Sequence, residues 1–140
     1  MASELRVNTL KDASGNNSIA TSFVAGGSAK AWLNLDGSAT FDVSDTEIND
    51  SFNVGSTVDN GTGDYTVTFS NALSNANYSS TMSCGQDSTG NSGLRAANGL
   101  SSTARTTSVI RVGTATASST ANRTSIDDDT ISLAIHGDLA

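Results

Sequence analysis

Apolar and polar side chains alternate along "DYTVTF" (64–69). Tyr65, Val67 and Phe69 fall on one side of an extended chain, Thr66 and Thr68 on the other. A period of two carried by β-branched and aromatic residues predicts a half-buried strand. The rhythm returns in "TSVIRVGTATAS", with Ile110 and Val112 inward and Arg111 outward. It returns again in "TISLAIHGDL", where Ile131, Leu133 and Ile135 share a face and His136 lies opposite. "NANYSSTMSCGQ" (75–86) places Tyr78, Met82 and Cys84 together on a further strand.

Turn chemistry groups these strands. "SAKAWLNLDGSATFDVS" (28–44) reads as a hairpin, because Asp36-Gly37 suits a two-residue type I′ turn that needs φ > 0 at both central positions. Ala31, Leu33 and Leu35 line one face of its first strand, Trp32 sits on the other, and Phe41 and Val43 alternate on the second. Trp32 is then either covered by a second body or half-exposed and stacked locally. "INDSFNVGSTVDNGTGDYTVTF" (48–69) reads as a second hairpin, with the turn beginning at Asn60-Gly61 and Gly63 allowing a left-handed residue or bulge. Pairing would set Phe52, Val54 and Val58 beside Tyr65, Val67 and Phe69.

No stretch has convincing helical periodicity: "NALSNAN" and "LRAANGL" are short and rich in Asn and Gly. Residues 85–107 form the longest irregular stretch, "STANRTSIDDD" a shorter loop. About seven or eight short strands, with turn signals roughly every 8–12 residues, predict an all-β fold: an antiparallel β-sandwich or jelly-roll-like domain over 28–140. Residues 1–27 are polar with sparse apolar anchors at Leu5, Val7, Leu10, Ile19, Phe23 and Val24. Leu5 and Val7 alternate like a short edge strand. The segment reads as an extended N-terminal arm for oligomerisation or attachment, with Leu5, Val7, Leu10 and Trp32 as its candidate contacts.

Composition sharpens this picture. Ser, Thr, Asn and Gly make up 67 of the 140 residues, while Leu, Ile, Val and Phe make up 27. So thin a core is marginal alone, and association with identical copies is the natural remedy. The net charge of −7 disfavours nucleic acid and anionic membranes as partners, and the seven basic residues are scattered singly. No run approaches the ~18 apolar residues of a membrane span. The N-terminal stretch has no apolar signal region. Cys84 is the only cysteine, so no internal disulfide forms and folding in a reducing cytoplasm is expected.

The chemical inventory is sparse. His136 is the only histidine, and abundant serines make any pairing with it uninformative. Cys84 alternates with Tyr78 and Met82 and reads as a buried, inert thiol. "SIDDDT" (125–130) carries three consecutive carboxylates without the glycine-bearing pattern of a Ca²⁺ loop. It reads as a solvated charge run, with a Ca²⁺ near Asp127–Asp129 the other possibility. No pair of acids is singled out for glycoside hydrolysis, and no glycine-rich phosphate loop opens a helix. The expectation is a non-enzymatic protein with no cofactor and no metal.

Three blocks carry a family likeness: "ELRVNTLKDASGNNSIATS", "INDSFNVGSTVDNGTGDYTVTFSNALSNANYS" and "DDDTISLAIHGDL". The middle block, with "SFNV", "DNGTGDYTV" and "NANY" in order, is the most specific. Together they resemble small fibre-like structural proteins of tailed bacteriophages, especially marine ones. The resemblance implies a virion component assembled in the host cytoplasm: a tail-fibre, head-fibre or knob module, commonly homotrimeric, with a β-sandwich tip. Unlike long tail fibres, the chain has no extended shaft and no large anchoring domain. A short spike or a decoration (cement) protein on a capsid is the alternative. Capsid or tail proteins are the expected partners, with a host-surface glycan as a further ligand. Polar loop residues suit sugars, and weak contacts multiply over many copies. The candidate ligand loop carries Asp87, Asn91, Arg95, Asn98 and Arg105.

Overall fold

The computed structural model describes residues 6–42, 46–85, 94–100, 105–117 and 123–140. Their core is an antiparallel sandwich of two sheets, as the alternation predicts. The first sheet is built from β3 (Ala31–Leu35), β4 (Ile48–Phe52), β7 (Ser79–Gly85) and β11 (Thr130–His136), in the order β4-β3-β11-β7. The second contains β5 (Val54–Gly61), β6 (Asp64–Phe69), β8 (Leu94–Gly99), β9 (Val109–Ala117) and β10 (Arg123–Ser125). β9 is its spine. β6 pairs with residues 109–113, β10 with 115–117 and β8 with 112–117. Because a strand has two edges, the overlap of β8 with both others places β6 and β10 end to end on one edge and β8 on the other.

The inward faces match the alternation. Ala31, Leu33 and Leu35, Ile131, Leu133 and Ile135, Tyr65, Val67 and Phe69, and Ile110 and Val112 are all buried and form one cluster with Leu73 and Tyr78. Each large side chain removed from water contributes about 1.5–3 kcal/mol. Phe69 and Tyr78 meet edge to face at 5.9 Å. Met82 and Cys84 of β7 face the same core from the first sheet's edge.

Several connections differ from the sequence expectation. The first is the 28–44 hairpin. β3 pairs with β4 and β11, and Phe41 lies outside any strand; Val43 falls outside the described residues. Gly37 does not have positive φ. Its need for glycine is close approach: a Cβ there would sit 2.5 Å from the Tyr65 hydroxyl and 2.7 Å from Ile131 Cδ1. Asp36 Oδ1 accepts bonds from Ser38 N and Oγ, a local turn that feeds Phe41 back to stack on Tyr65 at 5.6 Å.

The second difference lies within 48–61, which is two strands in two sheets. The chain crosses between them at Asn53, with φ 57, a left-handed conformation that Asn tolerates better than most residues. The Asn53 amide donates to Lys30 O and Asn71 O and accepts from Asn71 N, so one side chain ties the crossing to two other segments. The crossing also breaks the expected shared face. Phe52 turns outward opposite Trp32, Val54 packs on the core opposite Phe69, and Val58 is exposed opposite Thr66. The β5–β6 turn is Thr62-Gly63, slightly later than expected, with a register shift between Asp59 and Gly61 and Gly63 at φ 66.

Two segments read as irregular contain strands: β8 within 85–107, and β10 within the 119–129 loop. The arm is also more ordered than expected. Leu5 lies outside the described residues and Val7 is not in a strand. β1 (Thr9–Lys11) and β2 (Ser18–Ala20) form a hairpin, followed by a helix, α1 (Thr21–Gly27). Asp12 organises the hairpin turn by accepting from Asn16 N and Asn17 Nδ2, and the Asn17 bond above all holds its carboxyl below the usual value. Lys30 closes the helix: its ammonium reaches the carbonyls of Ala25 and Ser28, complementing the negative helix end.

Candidate functional site

Three places could carry function, and the sequence candidates divide among them. The first is the polar end of the sandwich around residues 126–128. Asp127 Oδ1 accepts from the Tyr65 hydroxyl at 2.7 Å and from Gly63 N at 2.7 Å, and the same hydroxyl reaches Gly37 O at 3.0 Å. Thr114 donates its hydroxyl to Ile126 O at 2.6 Å. Burial first, and Asp127 second, push the Tyr65 phenol far above its ordinary value. Asp128 is fully buried, 3.3 Å from Arg95 Nη1. Burial and the neighbouring Asp128 carboxylate raise the Cys84 thiol to about 12, with Arg95 opposing them.

The "SIDDDT" run is therefore not a solvated charge run. Asp127 holds a turn and a phenol, and Asp128 holds a buried guanidinium. No group of three or more metal-ligating side chains occurs among the described residues. Arg95, a candidate for the ligand loop, lies on β8 with its side chain only 7% exposed and turned towards Asp128. Cys84 is half-buried rather than buried, and its raised pKa makes it a poor nucleophile, since the thiolate is the reactive form. The whole end is a set of interior clasps.

The second place is a cavity of about 540 Å³ bordered by Asn77, Leu100, Arg105 and Arg111. Arg105 is clamped there. It donates to Tyr78 O at 3.1 Å and Ser80 Oγ at 2.9 Å, and its guanidinium lies 4.8 Å from the Tyr78 ring centre. Arg111 binds Asp64 through two nitrogens, Nε at 2.6 Å, which raises its pKa. Both cations on the rim are thus committed to the protein. What the cavity offers a ligand is amide, backbone and aliphatic surface. Asn98, on β8, is exposed; Asp87 and Asn91 lie outside the described residues.

The third place is the outer face of the first sheet. Trp32 and Phe52 are direct cross-strand partners, 36% and 52% exposed. Their row continues through Ala134 and Thr81, and the next through Asp50, Asn34, Ser132 and Ser83. Trp32 stands out in the sequence itself; Phe52, which the alternation sets beside Tyr65, Val67 and Phe69, is turned outward by the crossing at Asn53. Val7 and Leu10 of the arm are likewise exposed.

Fold and surface together define a small antiparallel β-sandwich carrying an N-terminal hairpin-helix arm. Comparison with protein-family models, with curated proteins and with solved structures finds no match to this chain.

Proposed function

We propose that the chain is a non-enzymatic structural module of a tailed-phage particle, a short fibre or knob held through its arm and displayed in several copies, with a trimer as the expected assembly. One observation carries this reading: no residue of 6–27 is buried, beside a sandwich whose interior is closed by polar clasps. A hairpin with three pairs and a seven-residue helix do not repay their own ordering cost in water. Such a segment suits an element completed by something else. The three blocks that resemble phage fibre-like proteins supply the setting, and the commitment of Asp127, Asp128, Arg95 and Cys84 to structure leaves little for catalysis.

Host-surface glycan contact is the display role, through the exposed β8 side around Asn98 and the cavity edged by Asn77. The exposed Trp32–Phe52 pair favours a second reading, a decoration protein lying flat on a capsid. Both readings are tested on particles. Mass spectrometry of purified virions should detect the chain, and virions assembled with residues 1–27 deleted should lose its density. A chain absent from virions overturns the proposal, and full occupancy without the arm overturns its anchoring role. Knob and cement then separate by adsorption: a knob variant at Asn98 and Asn77 slows host attachment, whereas a cement protein leaves attachment unchanged and its loss lowers capsid stability.

A further inference from the structure

The arm and the outer face of the first sheet are two unsatisfied surfaces in one chain, and they match. On the arm, Leu10 and Ile19 are direct cross-strand partners, 45% and 46% exposed, and Phe23 and Val24 follow on α1 at 74% and 42%. On the body, Trp32 and Phe52 form the exposed aromatic pair. Beside it, past Ala134, lies a hollow of about 140 Å³ edged by Thr81, Ser83 and Ser132, enough room for an aromatic side chain. Within one chain the two surfaces stay apart, as Phe23 and Phe52 are the two most exposed large hydrophobics among the described residues. The joint between them is fixed: Lys30 N bonds to Ile135 O in the sheet while its ammonium grips the end of α1.

Charge identifies the occupant. Of the 14 acids and 7 bases, residues 1–27 hold two of each (Glu4, Asp12; Arg6, Lys11), leaving 12 acids and 5 bases on residues 28–140. The arm is neutral and the body carries the entire −7. A body-on-body contact therefore presses two acidic surfaces together, whereas an arm-on-body contact sets a neutral surface against an acidic one. Exposed Lys11 on the hairpin complements exposed Asp50, next but one to Phe52 on the same face.

We propose that the hairpin and helix of one copy dock on the Trp32–Phe52 face of a second copy. Leu10, Ile19 and Phe23 cover the aromatic pair, and the β4-β3-β11-β7 sheet becomes a buried layer of the assembly. The contact is heterologous, so it closes either by reciprocal exchange in a dimer or around a ring. It deepens the multi-copy part of the reading above and names the surface; the virion setting does not depend on it.

Trp32 is the only tryptophan and reports directly on this face. With the purified full-length chain, mass by analytical ultracentrifugation should rise with concentration, and Trp32 emission should shift to the blue in step. Two full-length variants separate donor from acceptor: Leu10→Ser/Phe23→Ser spoils the arm and keeps Trp32, and Trp32→Ser/Phe52→Ser spoils the face and keeps the arm. Each alone should stay monomeric. Mixed, they should form a heterocomplex, with the blue shift arising solely from the Trp32 of the arm-spoiled chain. A wild-type chain that remains monomeric, an assembly whose Trp32 emission does not move, or a mixture that stays monomeric overturns the proposal. Assembly without a Trp32 shift would leave a multi-copy particle protein standing, joined through another surface.

Discussion

Asp128 lies inside this protein with Asp127 half-buried beside it, whereas Leu10, Ile19 and Phe23 lie on its surface. The two regions reverse the usual partition of polar and apolar groups, and for different reasons. At 126–128 the chain must close the end of a sandwich whose strands leave backbone and side-chain donors pointing inward. Buried polar groups are tolerated when each finds a partner. Asp127 accepts from Tyr65 and Gly63, Ile126 O accepts from Thr114, and the charge of Asp128 is balanced by the Arg95 guanidinium 3.3 Å away. Along 9–24 the opposite holds: apolar groups are organised by a good turn and a short helix, but nothing in the same chain covers them. One region is complete and the other is half of a contact.

The strongest way to break this contrast is to remove a clasp. Asp128→Ala should destabilise the chain by about 3–5 kcal/mol, because it removes the carboxylate that faces the buried Arg95 guanidinium at 3.3 Å. Urea denaturation followed by circular dichroism measures this. The double change Asp128→Leu/Arg95→Met should recover much of the loss, since an apolar pair can replace a buried ion pair. If Asp128→Ala is neutral, that end is open to water and the completed-region half of the comparison fails.

Gly63→Ala comes next, with an expected loss of about 2–4 kcal/mol from left-handed strain and overpacking. Gly63 has φ +66, and a Cβ there would press on Thr114 O and lie 2.8 Å from Ile126 N. The same unfolding curve measures it. A smaller effect belongs to Cys84. Its folded pKa is raised, so the protonated thiol is the folded form. The associated stability is full below the free-thiol value of 9.0 and declines as pH rises towards about 12. Thiol alkylation at neutral pH should be slow in the folded chain and rapid in urea, and Cys84→Ala should flatten the alkaline loss.

Parts of this molecule were legible in the sequence because their signals are local. Strands β6, β9 and β11 announce themselves through Tyr65/Val67/Phe69, Ile110/Val112 and Ile131/Leu133/Ile135, and all of these side chains are buried. What escaped was decided by distant neighbours. Gly37 looked like a hairpin glycine, but the Tyr65 hydroxyl and Ile131 demand its missing Cβ. Phe52 and Val54 looked like one strand, yet Asn53, tied to Lys30 and Asn71, sends them to different sheets. Three adjacent aspartates looked solvated because nothing local shows that an arginine some thirty residues earlier folds in against them. For the surface, Trp32 could be suspected from apolar groups on both faces of its strand, but its partner Phe52 could not, since its direction depends on that crossing.

The smallest expected effect tests the other half of the comparison. In dilute solution Phe23→Ser should change the stability of the single chain by no more than about 0.5 kcal/mol, as surface substitutions away from packed groups do. Phe23 is 74% exposed and α1 contains no buried residue, so no buried apolar packing is lost within the chain. Urea midpoints of wild type and variant, taken at the lowest workable concentration, measure the difference. A loss well above that value would mean that Phe23 is already packed against its own body in solution. The arm would then be a finished part of the sandwich, and the contrast with the Asp127–Asp128 end would disappear. Equal midpoints on dilution that separate only as concentration rises would place the contribution of Phe23 between copies, because a contact made only on association stabilises in proportion to the logarithm of partner concentration.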